Sequence, residues 1–152
     1  MKNFKPDKIL KRKKEEWLKL GGKLVTRIIE DAEKGISQEP NGKPFPPYKS
    51  SYSIKKAAGK VLSVGADRQV SPPNLRLTGA MLGSISPQKA TRDSVELIYR
   101  EAEKVEGNAK KKRNVYGLND KNWEFARGYI NDIIENKITK FNRKKVVIEI
   151  DI

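Results

Sequence analysis

Two stretches of helical apolar spacing constrain this chain more than any other feature. In the first, Leu10, Trp17, Leu20, Leu24 and Ile28 follow at steps of seven, three, four and four. Those steps place them on one side of a helix, because residues three, four and seven apart share a stripe. Pro6-Asp7 opens the element, with Asp7 as its cap, and Gly35 closes it, since a helix end favours a residue that accepts positive φ. Gly21-Gly22 interrupts the pattern. Each glycine costs about 1 kcal/mol against alanine in a helix interior, so the expectation is either a kink or two helices meeting. In the second stretch, Trp123, Ala126, Ile130, Ile133, Ile134, Lys137 and Ile138 recur at threes and fours, with Phe125 and Tyr129 alongside. This predicts a helix from about Lys121 to Lys140, capped by Asn119 or Asp120. Trp17 and Trp123 both fall at helical core positions.

The segments between these helices are shorter and more varied. Asn41-Gly42-Lys43-Pro44-Phe45-Pro46-Pro47-Tyr48 is a turn followed by a proline-rich run. Proline fixes φ and removes a donor, so the run is neither helix nor central strand. Phe45 and Tyr48 are its apolar anchors. Ser50 or Ser51 caps a short helix through Ile54 to Ala58, stopped by Gly59. Lys60 to Pro73 is a loop containing Val61-Leu62-Ser63-Val64, which fits a short strand or loop. Thr78 caps a helix that Gly79 enters and Pro87 stops, with Met81, Leu82 and Ile85 on its inner face. Lys89 to Asp93 is a hairpin turn or the tail of a strand. Val95, Leu97 and Tyr99 alternate with Glu96, Ile98 and Arg100, the pattern of a strand with one buried face. Gly107 to Arg113 is a loop. Val146, Ile148, Ile150 and Ile152 alternate with Glu149 and Asp151 in a final strand. No repeat or internal boundary appears, so the chain reads as one domain over 1–152. Its parts are the N-terminal helix (1–35), an extended arm and loop region (41–73) and a helix–strand–helix–strand core (74–152).

The chemistry available is narrow. The chain has no Cys and no His, which removes thiol nucleophiles, disulfides, Cys/His zinc sites and the usual general base. Gly-rich phosphate loops are absent. Glu15, Glu16, Asp31, Glu33 and Glu135 lie on helices among Lys and Arg, as solvated helix faces do. Asp93, Glu96, Glu101 and Glu103 form a loose acidic cluster without the spacing of a metal site. The expectation is therefore no enzyme, no cofactor and no metal. No apolar run approaches the roughly 18 residues of a membrane span, and no signal-peptide pattern follows the basic start.

Charge points to partners instead. The 152 residues carry a net charge of +14, which favours nucleic acid or an acidic protein face. Lys11, Arg12, Lys13 and Lys14 form one basic run, and Lys110, Lys111, Lys112 and Arg113 form another at a loop tip. Each reads either as solvated surface or as a contact with DNA or an acidic partner.

In order along the chain, several segments resemble the tail-completion or virion-morphogenesis proteins of tailed bacteriophages, which sit in the neck between head and tail. Gly42-Lys43-Pro44-Phe45-Pro46-Pro47-Tyr48 approximates that family's G-x-x-[WF]-x-P-[LY] turn. Leu75 to Ile85 matches L-x-x-T-G-x-L-x-x-S-I at Thr78, Gly79, Ser84 and Ile85, with Met81 where Leu is usual. Glu101 to Gly107 is similar to a Y-A-x-x-V-E-x-G return, one residue short and without the Tyr. Arg113-Asn114-Val115-Tyr116-Gly117 resembles an R-x-F-L-G helix entry. Val146 to Ile152 lies outside the pattern.

The resemblance implies an α+β fold. The long N-terminal amphipathic helix and a second C-terminal helix pack on a small antiparallel sheet, with extended proline-rich and basic loops. It also implies a structural subunit of the virion neck, assembled in the host cytoplasm as a ring, often sixfold, around the DNA channel. Its partners would be itself, connector or head-completion proteins, and tail-terminator or tail-tube proteins, with DNA as a further contact. Phe45, Pro47 and Tyr48 would touch neighbouring subunits. The two basic runs would face DNA or acidic partners. Thr78, Gly79, Leu82, Ile85, Tyr116 and Gly117 would hold the structural motif. The alternative is a free basic nucleic-acid-binding protein.

Overall fold

The computed structural model describes residues 13–61, 65–76, 78–91 and 93–143. Among them the fold is α+β: α1 (Lys14–Glu33), α2 (Ser50–Ala57), α3 (Ala80–Gly83), β1 (Ile85–Ala90), β2 (Val95–Tyr99), α4 (Ala102–Ala109) and α5 (Asp120–Arg143). The long helices α1 and α5 and the antiparallel β1–β2 hairpin form its frame. The expected opening at Pro6-Asp7, with Leu10, and the expected last strand Val146–Ile152 lie outside the described residues. So does most of Val61–Val64.

The N-terminal stripe packs as its spacing predicts. Trp17, Leu20, Leu24 and Ile28 are buried, joined by Val25 and Ala32. The glycine pair does not break the helix; α1 is continuous through it. Gly21 is there for close approach: a Cβ on it would stand 2.8 Å from Pro87 Cβ and 2.9 Å from Val95 Cγ2. The hairpin lies directly against the bare backbone. Gly22 faces open space. At the start of α1 the Glu16 carboxylate takes the Lys13 N–H at 2.9 Å. At its end Gly35 turns at φ +74, and Ile36 N–H reaches Asp31 O at 2.8 Å. This satisfies carbonyls that the last turn leaves open.

The motif stretch departs from expectation. Its helix is only four residues long and is entered through Gly79 at φ +82 rather than capped at Thr78. Thr78 Oγ1 instead accepts the Ala80 N–H at 3.3 Å. The helix ends at Ser84, whose hydroxyl donates to Met81 O and accepts the Glu101 N–H. That exchange turns the chain into β1, so Ile85 begins a strand. Pro87 does not stop a helix; it sits in β1 where the register shifts between Pro87 and Lys89. A two-stranded sheet leaves free edges, and a residue without an N–H is tolerated there. Lys89–Asp93 thus belongs to a hairpin, closed by Thr91 N–H on Ser94 O. The return after β2 forms α4, running through Gly107 to Ala109, where a loop was expected.

Two apolar clusters meet along α1. One gathers Ile28, Ala32, Phe45, Leu82, Ile85, Val105 and Val115 about its C-terminal half. The other gathers Trp17, Leu20, Leu24 and Ala126 about its N-terminal half. Helix α5 runs antiparallel to α1: Asn122 and Asn119 bond Asp31, while Lys137 bonds Glu16 at 2.7 Å. Trp123, expected in the core, is 51% exposed. The buried position is Asn122, whose side chain bonds Asp31, Gln38 and Arg27. Those bonds set the rotation of α5, and Ala126 follows Asn122 inward.

Candidate functional site

Three segments singled out in the sequence converge on one open groove of about 880 Å³. The proline-rich run supplies Pro46, Pro47 and Tyr48; the motif stretch supplies Leu75, Thr78, Gly79 and Met81; the basic turn after α4 supplies Lys111 and Arg113. Its size falls in the range of about 300–1,000 Å³ common to concave ligand sites.

Arg113 joins the first segment to the third. Its guanidinium donates to Pro46 O at 3.1 Å and Pro47 O at 2.7 Å, and its Cζ lies 4.7 Å from the Tyr48 ring centroid. Prolines offer acceptors without competing donors, which suits a fork of N–H groups. The Tyr48 hydroxyl accepts the Leu75 N–H at 3.1 Å, joining the first segment to the second. Tyr52 meets Tyr48 edge-on at 5.0 Å. Burial pushes the Tyr48 hydroxyl, and less deeply that of Tyr52, above the ordinary phenol range, so both rings are neutral at pH 7.

Beneath this wall lies a buried cation, Lys56, 1% exposed. Its ammonium donates to Asp67 Oδ2 at 3.2 Å, Gln69 O at 2.6 Å and Asn74 Oδ1 at 2.9 Å. All three of its donors are used, as a buried ammonium requires. Asn74 also donates to Asp67 at 2.6 Å. Burial works against ionisation of Asp67, but the Asn74 and Lys56 bonds outweigh it and hold its carboxyl below the ordinary range. The cluster fixes the 67–76 loop, in which Leu75 takes φ +51. Positive φ is uncommon for a bulky residue and stores strain of order 1–3 kcal/mol. Leu75 is held there by its bond to Tyr48 and by burial of its side chain.

The groove is strongly cationic. Lys49, Arg76, Lys104, Lys111 and Arg113 line it, and among the described residues no carboxylate does. Arg76 and Lys104 pair with Glu33 and Glu101. The floor between them is apolar, with Tyr48, Leu75 and Met81.

The expected site residues fall in several places. Pro47 is exposed and Tyr48 half-buried, both at the groove. Phe45 is a core residue, 5% exposed, and makes no surface contact. The segment carrying it is no free arm: Ile36 bridges Pro44, and Phe45 N–H reaches Gly35 O. Arg113 is 7% exposed and turns its Nε and Nη2 donors to the proline carbonyls, so it is not part of an exposed basic tip. Lys110, Lys111 and Lys112 are exposed, with Lys110 paired to Glu106. Lys11 and Arg12 lie outside the described residues. Lys13 and Lys14 are exposed at the start of α1, away from the groove, which adjoins its C-terminal end through Arg76 and Glu33. Thr78 and Gly79 line the groove while Leu82 and Ile85 point into the core. Tyr116 packs edge-on against Tyr99 at 4.7 Å, and Gly117 turns at φ +81 to lead into α5. Among the described residues, no three carboxylates gather as a metal site would need, and no helix is long and apolar enough to cross a membrane.

Spacing alone missed two features. Lys56 looked like any exposed lysine of a short helix, and its partners lie 11 to 18 residues ahead. Asp31, Gln38, Asn119 and Asn122 form a second buried network whose members are up to 91 residues apart. Only the cap role of Asn119, which accepts the Asn122 N–H at 3.0 Å, was legible. No family model matches the chain, and no curated protein or solved structure is significantly similar to it.

Proposed function

We propose that this chain is a structural subunit of a tailed-phage virion, placed at the head–tail junction, that works by docking neighbours and not by catalysis. The reading begins from the resemblance and is supported by one geometric fact. The segments that carry the resemblance, Gly42–Tyr48, Leu75–Ile85 and Arg113–Gly117, share no sequence proximity. They nevertheless meet around one groove or directly beneath it. A surface assembled from separated segments and locked by a buried lysine is suited to a fixed contact. The subunit would form a ring with its own copies, bridge connector and tail proteins, and present excess positive charge to DNA in the channel. Quantitative mass spectrometry of gradient-purified particles tests this: a few to a dozen copies per virion are expected, and absence from particles contradicts it.

The net charge of +14 favours a second reading, a free nucleic-acid-binding protein. It expects tight duplex binding with a log–log salt slope of about 0.9 per neutralised phosphate. No binding at low salt would remove it.

A further inference from the structure

We propose that the cationic groove receives the segment Val146–Ile152 of a second copy of this chain. The inference rests on the ring assembly proposed above and names the contact that builds it.

The groove asks for an occupant with both apolar and acidic groups. Tyr48, Tyr52 and Met81 give it an apolar floor, while Lys49 and Lys111 stand at its rim, and no carboxylate lines it among the described residues. A single-stranded nucleic acid fits less well. Stacking needs an open aromatic face, and Tyr48 already engages the Arg113 guanidinium at 4.7 Å and the Lys56 ammonium at 5.1 Å. The chain itself carries a segment of the required chemistry. In Val146-Val147-Ile148-Glu149-Ile150-Asp151-Ile152, apolar residues alternate with two carboxylates. In an extended conformation Val146, Ile148, Ile150 and Ile152 share one face and Glu149 and Asp151 the other. The first face suits the floor and the second the lysines at the rim, the pattern of an extended peptide held by side-chain pockets and charge.

The direction of α5 assigns this segment to a neighbour. α5 runs antiparallel to α1, with Asn122 beside Asp31 and Lys137 beside Glu16. The groove adjoins the other end of α1, where Arg76 pairs with Glu33. From Glu16 to Glu33 is about 25 Å at 1.5 Å per residue, and from Lys137 to Arg143 about 9 Å more in the opposite direction. Residues 144–152, fully extended, span about 30 Å at most. Val146 is three residues past Arg143, a reach of about 10 Å at most, so seating the whole segment in its own groove is impossible. In a second copy the same reach is free, and a contact of one copy's tail with the next copy's groove is head-to-tail, the kind that closes into rings.

Charge reversal on the full chain tests this by sedimentation velocity at low salt. Wild-type protein is expected to self-associate. Lys49→Glu/Lys111→Glu and Glu149→Lys/Asp151→Lys should each weaken association by about tenfold or more, and the quadruple variant should regain it. Lys49 and Lys111 are both exposed, so the fold tolerates their reversal. A monomeric wild type, a reversed variant that associates normally, or a quadruple variant that stays dissociated overturns the proposal. Because the chain has no Cys, mixing Lys111→Cys chains with Glu149→Cys chains gives a second readout. Disulfide-linked heterodimers are expected; homodimers alone contradict the contact. These measurements use purified protein, so their outcome is separate from the presence or absence of the chain in virions.

Discussion

At the residue scale, adjacent glycines make the sharpest contrast. Gly21 and Gly22 carry the same propensity penalty, yet only Gly21 lies against the hairpin. Gly21→Ala should destabilise by about 1–3 kcal/mol, because its methyl would press on Pro87 and Val95. Gly22→Ala, with open space around it, should stabilise by up to about 1 kcal/mol. Urea unfolding with unchanged slope checks both. The sequence showed that both glycines were unfavourable in a helix. It did not show which one was compensated, because the neighbour lies 66 residues or more along the chain. Lys56 presents the same difficulty in reverse. Lys56→Met should cost about 2–3 kcal/mol, since it takes a hydrogen bond from buried Asn74 and from Gln69 O and leaves Asp67 without its cation.

The paired carboxylates also set a pH limit. Asp67 and Glu16 are held below their ordinary values of 3.8 and 4.5. In each case burial opposes ionisation and is outweighed by hydrogen bonds, from Asn74 and Lys56 to Asp67 and from Lys137 and the Lys13 N–H to Glu16. The unfolded chain therefore binds more protons than the folded one in the acid range. Their contribution is complete above the ordinary values and is lost as pH falls through the lowered ones. Tyr99 acts at the other end. Burial pushes its hydroxyl up to about 12, so its contribution is present below the ordinary value of 10 and lost as pH rises toward 12. Thermal melts should be flat near neutrality and fall at both extremes. Asp67→Asn should shrink the acid fall, and Tyr99→Phe the alkaline one; unchanged profiles would contradict these assignments.

At the scale of elements, periodicity located both long helices, and alternation located β2. It set the inward face of α1 correctly because apolar contacts alone decide that face. It missed by one residue on α5, taking Trp123 as core where Asn122 is buried. There a polar network decides, and apolar spacing carries no trace of it. Asn119→Ala should cost about 2 kcal/mol, combining a lost cap with lost bonds to Asp31 and Ser37 O. Its effect should concentrate at the α5 N-terminus, where amide hydrogen exchange would show early opening. The stretch Leu75–Ile85 was legible as an anchor but not as a strand entry. The bond between Ser84 and Glu101 that turns the chain joins residues seventeen apart, beyond any local signal.

At the scale of the whole molecule, the proline-rich run is a wall of the groove, not a free arm, and it is held there by Arg113. That placement could not be read from a charge run, which gives no hint that one of its four cations turns inward. The apolar floor and cationic rim then arise from segments far apart in sequence, which explains why the site was visible only as separate motifs. The groove itself is proposed to do the joining. The most direct measurement of this is complementation of a phage deprived of the wild-type chain with Lys49→Glu/Lys111→Glu, read by electron microscopy and plaque yield. Filled heads and separate tails are expected, with yield reduced at least tenfold. Normal particles at normal yield would contradict it.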